Sequence, residues 1–514
     1  MCTTEKYFVL DPREATFSDL ARLLFSSDLR NRRFIDSSEE KLEDDLCRFR
    51  RRWIIFVSII IQKLMILLRK PLYFLGFYLS FWLNLLSSNG GFFKILPNLF
   101  KGKIIWPEKT SATFASLVGN LDRRVELDRR IERGSKRYKA MLSIMASKLS
   151  YENTNFVSSV LHNHWKVTVK IVIDDSSKVI KNYPKIRQLM RAVLAMNLLG
   201  FYSCWNGYQK QKSTELIVIK DTSTYPNLIV VSFRGTDPFD SDDWCTDFDL
   251  SCLGSLIGSS NYTNVDFQNR YEIKNVGKVH GGFMKALGLQ KEGWPKEVNF
   301  DQTQNETTQY AYYTIMHHLK EILDQNPASK FILTGHSLGG ALAILFTAVL
   351  MMHDEEQMLD KLEGVYTFGQ PRVGDEKFGK FMKNSLKKYE VMYERYVYCN
   401  DMVPRLPFDD KTLMFKHFGG CLYYDSFYRG KVEQEEPNKN YFSMLWAIPK
   451  IMNAIWELMR SFIIPYWKGE EYREGWFLKC FRVVALLIPG LPAHAPNEYV
   501  NATLLGNLPD LHLD

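Results

Sequence analysis

The sequence predicts an α/β fold on a mainly parallel central sheet, and three observations carry that expectation. Strand-like runs alternate with helix-like windows over residues 215–400, and one strand-to-helix junction is crowded with glycine. The chain is also long and apolar enough, at 514 residues and 46% hydrophobic, to bury one large core and still carry an accessory region.

Residues 1–52 form a polar N-terminal region. Its first 40 residues mix Glu5, Asp11, Arg13 and Glu14 with no apolar stretch behind a short basic start, so no secretory signal peptide is expected. The eight cysteines show no CxxC pair and no metal-ligand spacing. They are expected to be reduced thiols on the cytosolic side, with no disulfide framework, metal or cofactor. The sequons at Asn261, Asn305 and Asn501 are then chance matches, because glycosylation needs lumenal exposure. The formal charge of +8 suits an anionic lipid surface or a solvated exterior. No basic-aromatic ladder for nucleic acid is present.

Residues 53–100 are expected to associate with a membrane or lipid droplet. The cluster Arg48, Arg50, Arg51, Arg52 meets an apolar run at 53–68, and a second run at 72–86 follows Arg69-Lys70-Pro71. Each run is shorter than the ~20 residues of a spanning helix. Burying Arg69 and Lys70 at mid-depth would cost roughly 2.5–3.5 kcal/mol per charge. Two interfacial or shallowly inserted helices with a break between them are therefore expected, with Trp53, Phe74 and Trp82 among the aromatics at the headgroup level.

The remainder, 101–514, reads as one catalytic domain with its core motifs at 215–505. Helices are expected at Lys136–Leu149 and Lys185–Leu199, and strands at Glu215–Lys220 and Leu228–Phe233. Strands at Phe331–Thr334, Gly364–Phe368 and Val391–Tyr398 then alternate with helices at Gln309–Leu323, Gly339–Met352 and Lys377–Lys388. An aromatic block at 438–490 reads equally as a second lipid-facing patch or as core helices.

The chemistry is signalled by Gly335-His336-Ser337-Leu338-Gly339, which leaves a strand-like run and enters a helix-like one. This is the strand, tight turn and helix of a nucleophile elbow, the hallmark of an α/β-hydrolase fold. Gly335 and Gly339 relieve the crowding and Ser337 projects from the turn. A serine needs a histidine to take its proton and a carboxylate to hold that histidine. Asp401 follows a later strand and qualifies as the acid; Asp375 competes, but its strand comes too soon. His417 and His494 both lie downstream, and order alone does not choose between them. The oxyanion needs preorganised N–H donors, one from Leu338 and one from the turn Arg234-Gly235-Thr236. The stretch after it, with Phe239, Trp244 and Phe248, has the apolar residues a lid requires.

Five motifs in this order resemble class 3, fungal-type triacylglycerol lipases: Arg234-Gly-Thr236, Val279-His-Gly-Gly-Phe283, Gly335–Ala341, Phe368–Gly374 and Asn400–Pro407. The hydrophobic N-terminal pair, Lys416–Tyr424 and Asn497–Asn501 extend the resemblance toward plant oil-body lipases. The resemblance implies His494 as base, His417 as structural, Thr236 with Leu338 as the oxyanion hole, and a lid helix over Phe239–Phe248. It implies hydrolysis of triacylglycerol and other acylglycerols on a lipid-droplet or membrane surface facing the cytosol, without a cofactor. A phospholipase or galactolipase of the same fold is the alternative within this chemistry, and a lipid-binding scaffold without turnover lies outside it. One departure from the compact fungal enzymes is the 93-residue separation of Asp401 and His494, which the aromatic block fills.

Overall fold

The structure, a computed structural model, describes residues 8–25, 34–37, 49–165, 167–168, 193–194, 196–207, 209–224, 226–240, 243, 252–254, 276–289, 309–407, 415–439, 441 and 446–507. Its centre is an eight-stranded sheet whose spatial order follows the chain: β1 (Met196–Asn206), β2 (Gln211–Asp221), β3 (Leu228–Phe233), β4 (Lys330–His336), β5 (Leu362–Phe368), β6 (Met392–Tyr398), β7 (Cys421–Tyr424) and β8 (Gly430–Glu433). Strands β3 to β7 are parallel, while β1, β2 and β8 close the edges antiparallel.

The central strands are buried on both faces, which is why β3 reads as the unbroken run LIVVSF. Its residues still alternate: Ile229, Val231 and Phe233 join one core while Leu228 and Val230 join the other. Helix α5 (Leu338–Met352) covers the first face with α4 (Ala311–Gln325) and α6 (Glu376–Lys388). Every residue of α5 is buried, as an all-round apolar helix requires. Helices α3 (Lys136–Leu149) and α9 (Pro496–Leu505) cover the second face. Ser135 starts α3 by accepting the Tyr138 N–H.

Most expected elements appear within two residues of their predicted limits, although β2 starts four residues before its predicted limit. The exception is the helix expected at Lys185–Leu199. Its end at Met196–Leu199 is the start of β1, paired with β2, because sheet pairing overrides local helical propensity; the rest of it lies almost wholly outside the described residues. Asn501 is buried, with its amide bound to Arg124 and Tyr428, which removes it as an acceptor site. Asn261 and Asn305 lie outside the described residues.

The two-helix expectation for 53–86 is also corrected. One helix, α1 (Phe49–Ser88), runs straight through Arg69-Lys70-Pro71. Pro71 withholds one N–H from the carbonyl four residues earlier, and the exposed Arg69 and Lys70 need no break to reach solvent. Among the described residues no helix is long and apolar enough to cross a membrane. A short helix, α2 (Phe92–Phe100), follows with no buried side chain. Within the aromatic block at 438–490 the described residues include α7 (Ala447–Lys468) and α8 (Trp476–Val484).

The C-terminal end of α1 is fastened to the domain built on the sheet. Asn84 exchanges two hydrogen bonds with the Ala115 backbone, at 2.8 and 2.9 Å, and the next residue, Ser116, gives its N–H and hydroxyl to Glu152. Burial pushes the Glu152 carboxyl up to about 7, against the opposing pull of Ser116 and Lys148. Unfolded, the group titrates near 4.5. The folded protein therefore holds more protons between those values, and this stability, complete below about pH 4.5, is lost as pH rises to about 7. Glu152→Gln is expected to reduce the stability difference between about pH 5 and about pH 7.5, read from urea midpoints, by about 2–3 kcal/mol. An unchanged difference would rule out proton uptake at Glu152.

Candidate active site

The end of β4 and the start of α5 meet at Ser337, whose backbone sits at φ 58°, ψ −131°. Such a conformation is strained for a residue with a Cβ and persists only where its surroundings enforce it. Here the enforcement is close backbone packing. A Cβ on Gly335 would collide with the Gly339 backbone, and one on Gly339 with the Phe233 carbonyl. The Ser337 N–H is held by the Phe368 carbonyl at 2.9 Å.

Asp401 and His494 come together although 93 residues separate them. His494 Nδ1 lies 2.8 Å from Asp401 Oδ2, with the aspartate side chain fully buried and the histidine 14% exposed. Two more donors hold the carboxylate: the Val403 N–H at 2.9 Å on Oδ1 and the Tyr499 hydroxyl on Oδ2. Burial and the neighbouring carboxylate push the Tyr499 phenol well above its ordinary range, so it remains a donor. Asp401 accepts all three bonds without giving one.

His336 joins this pair to the serine's own strand. Its ring lies 4.5 Å from that of His494, and its Nε2 is 2.8 Å from the His494 carbonyl oxygen. A carbonyl only accepts, so Nε2 carries the proton and Nδ1 is left to accept from the Tyr151 hydroxyl at 3.0 Å. Burial pushes His336 well below the ordinary histidine range, keeping it neutral. A Cβ on Gly235 would meet the Tyr151 hydroxyl and the Ser337 Cβ, so the Arg234-Gly235-Thr236 turn lies over the serine. Thr236 and Leu338 are buried there, and the turn is pinned from behind by Asp243, which accepts from the Asp237 N–H and Gln209 Nε2.

The competing candidates have other partners. Asp375 caps α6 by accepting the Phe378 N–H. His417 is buried with its Nε2 2.7 Å from the Pro404 carbonyl, beside Arg372, Arg395 and Glu436. Of the lid residues, Phe239 touches α1, where a Cβ on Gly76 would lie 2.6 Å from its own Cβ; Trp244 and Phe248 lie outside the described residues.

Several residues that sequence reasoning passed over hold the acid in place. Arg405 binds the backbone carbonyls of Cys399 and Asp401. Arg372 binds those of Arg405 and Pro407 and pairs with Glu436 at 2.9 Å. Their signal was the repeated Pro-Arg in two of the five motifs, readable only as a motif until the fold crossed them.

A serine on a strained strand-to-helix elbow, with a His–Asp pair packed against the histidine that precedes it, is the arrangement of an α/β hydrolase. The Lipase (class 3) family model matches residues 230–411. Three plant proteins, each named triacylglycerol lipase OBL1, align with nearly the whole chain. That of Arabidopsis thaliana is 39% identical and covers 97% of this chain and 95% of its own. That of Nicotiana tabacum is 38% identical, covering 88% and 83%, and that of Ricinus communis 35%, covering 98% and 95%. The chain belongs to the class 3 lipase family.

Proposed function

We propose that this enzyme hydrolyses acylglycerol esters, triacylglycerol foremost, at the surface of a lipid droplet or membrane. The observation that carries the proposal is the Asp401–His494 hydrogen bond, held against His336 on the strand end that bears the strained Ser337. Ser337 Oγ attacks the ester carbonyl while His494 Nε2 takes its proton, and Asp401 stabilises the imidazolium through Nδ1–H. The tetrahedral oxyanion is met by the Leu338 backbone N–H and by Thr236. His494 returns the proton to the departing glyceride oxygen, leaving an acyl-serine. Water, deprotonated by the same histidine, then releases the fatty acid and restores Ser337.

The names of the plant relatives support triacylglycerol as substrate. The exposed aromatics of α1 and α2, among them Tyr73, Phe74, Tyr78, Phe93 and Phe100, support work at a lipid surface. Here α1 would lie along the interface rather than cross it.

The test is fatty-acid release from emulsified triolein, phosphatidylcholine and galactolipid. Triolein is expected to be the preferred substrate, with activity lost in His494→Ala and retained in folded His417→Ala. Preference for a polar lipid would move the reading to a phospholipase or galactolipase, and no release from any of them would leave a scaffold. Activity that survives in His494→Ala would remove it as base.

A further inference from the structure

Helices α7 and α8 are built inside out for water. Between Trp446 and Trp467 the charged residues are Lys450, Glu457 and Arg460, and all three are buried. Over the same stretch Ile448, Met452, Met459, Ile463 and Tyr466 are exposed, spaced three, four or seven residues apart on one stripe of α7. In α8 Arg482 is buried, while Trp476, Val483 and Val484 face outward, followed by the almost fully exposed Leu487 and the half-exposed Ile488.

Lys450 donates to the Tyr441 carbonyl, and the other buried charges form one network with the helix that follows the candidate base. Glu498, in the first turn of α9, accepts from Arg460, Arg482 and the Tyr428 hydroxyl. Arg482 also pairs with Glu474 at 2.7 Å, and Arg460 reaches the Tyr398 hydroxyl at 2.6 Å. Desolvating these ions is costly and is offset only by such pairing. A helix bathed in water would be more stable with its charges outside and its isoleucines inside. The inversion matches what proteins do where the surrounding medium is apolar: ionisable groups turn inward and pair, and apolar side chains face out.

Cations and aromatics at the rim fit the boundary of such a medium. Lys468 lies over the Trp467 ring at 5.0 Å and Lys479 over Phe462 at 4.2 Å. The surface also adjoins the end of α1, since Leu83, Leu86 and Gly90 line the same cleft as Trp476 and Phe477. Between Ile488 and His494 the chain packs at Gly490 against the Asn400 carbonyl, next to Asp401, which brings this face near the reacting centre.

We infer that the outer face of α7 and α8, with Leu487 and Ile488, is a lipid-docking surface that seats the active-site side of the enzyme on a phospholipid-coated droplet. This deepens the proposed function and rests on its reading of an enzyme working at a lipid surface. The apolar stripe enters the acyl region and the lysines meet anionic headgroups.

The test is flotation of the full-length protein with triolein droplets coated in phosphatidylcholine and phosphatidylserine. Wild type is compared with a Met452→Glu, Ile463→Glu, Leu487→Glu triple variant. The three side chains are exposed, so the variant is expected to fold and to hydrolyse soluble p-nitrophenyl butyrate within about twofold of wild type. Its floated fraction and its rate on the droplets are expected to fall about tenfold or more. Flotation equal to wild type overturns the inference, as does an equal loss on the soluble ester. A variant that loses self-association by light scattering but floats normally also overturns it, assigning the face to a second copy. If wild type floats and the variant does not, while neither releases fatty acid, the docking surface stands and the lipase reading falls.

Discussion

Ser337→Ala is expected to lower fatty-acid release from emulsified triolein by about 10⁴-fold or more, which corresponds to about 5.5 kcal/mol of lost transition-state stabilisation. The change removes one oxygen and nothing that holds the fold. The strained backbone at φ 58° is imposed by Gly335, Gly339 and the Phe368 carbonyl, and alanine meets the same constraint as serine. The urea midpoint should therefore stay within about 0.5 kcal/mol of wild type. Labelling by a fluorophosphonate should disappear as well, because the probe reacts only with an activated serine oxygen. Activity within tenfold of wild type would mean that the nucleophile lies elsewhere.

Asp401→Asn is expected to be nearly as severe, about 10⁴-fold in kcat, by a different route. The carboxylate accepts from His494 Nδ1, the Tyr499 hydroxyl and the Val403 N–H. An amide offers one acceptor oxygen and one donor group in the same place. If its NH2 faces His494, the imidazole must present a lone pair at Nδ1 and carry its proton on Nε2, where it can no longer take one from Ser337. The expected signature is a slow rate of serine labelling in a protein that still binds droplets. Near-normal labelling would remove Asp401 from this role and return attention to the other buried carboxylates.

The sheet and its helices were legible because their patterns are local. The run at β3 is β-branched and apolar on both faces, α5 is apolar all round, and the elbow glycines fall where two backbones touch. Ser337 and Asp401 were legible for the same reason, each sitting at the end of a strand. Choosing His494 over His417 was not possible from order, and it needed the family likeness. In three dimensions the difference is plain, one ring facing Asp401 and the other the Pro404 carbonyl. Tyr499 and the Tyr151–His336 pair were missed because they act across long sequence separations, and Arg405 because it binds backbone carbonyls, which no side-chain pattern marks. The segment Arg69-Lys70-Pro71, two charges and a proline, was read as a break because its composition suggests one; an exposed helix face accommodates it instead.

The chain between Asp401 and His494 has a bearing on how the enzyme can be cut or recombined. Glu498 begins the helix behind His494, and two of its partners, Arg460 and Arg482, come from α7 and α8. A minimal version made by excising 446–488 to resemble a compact fungal lipase would leave that glutamate buried without its counter-ions, at a cost of about 3–5 kcal/mol. The segment is therefore not a detachable module. Deleting it from this chain requires Glu498 to be replaced in the same step, and grafting it onto another hydrolase requires a carboxylate there to meet Arg460 and Arg482.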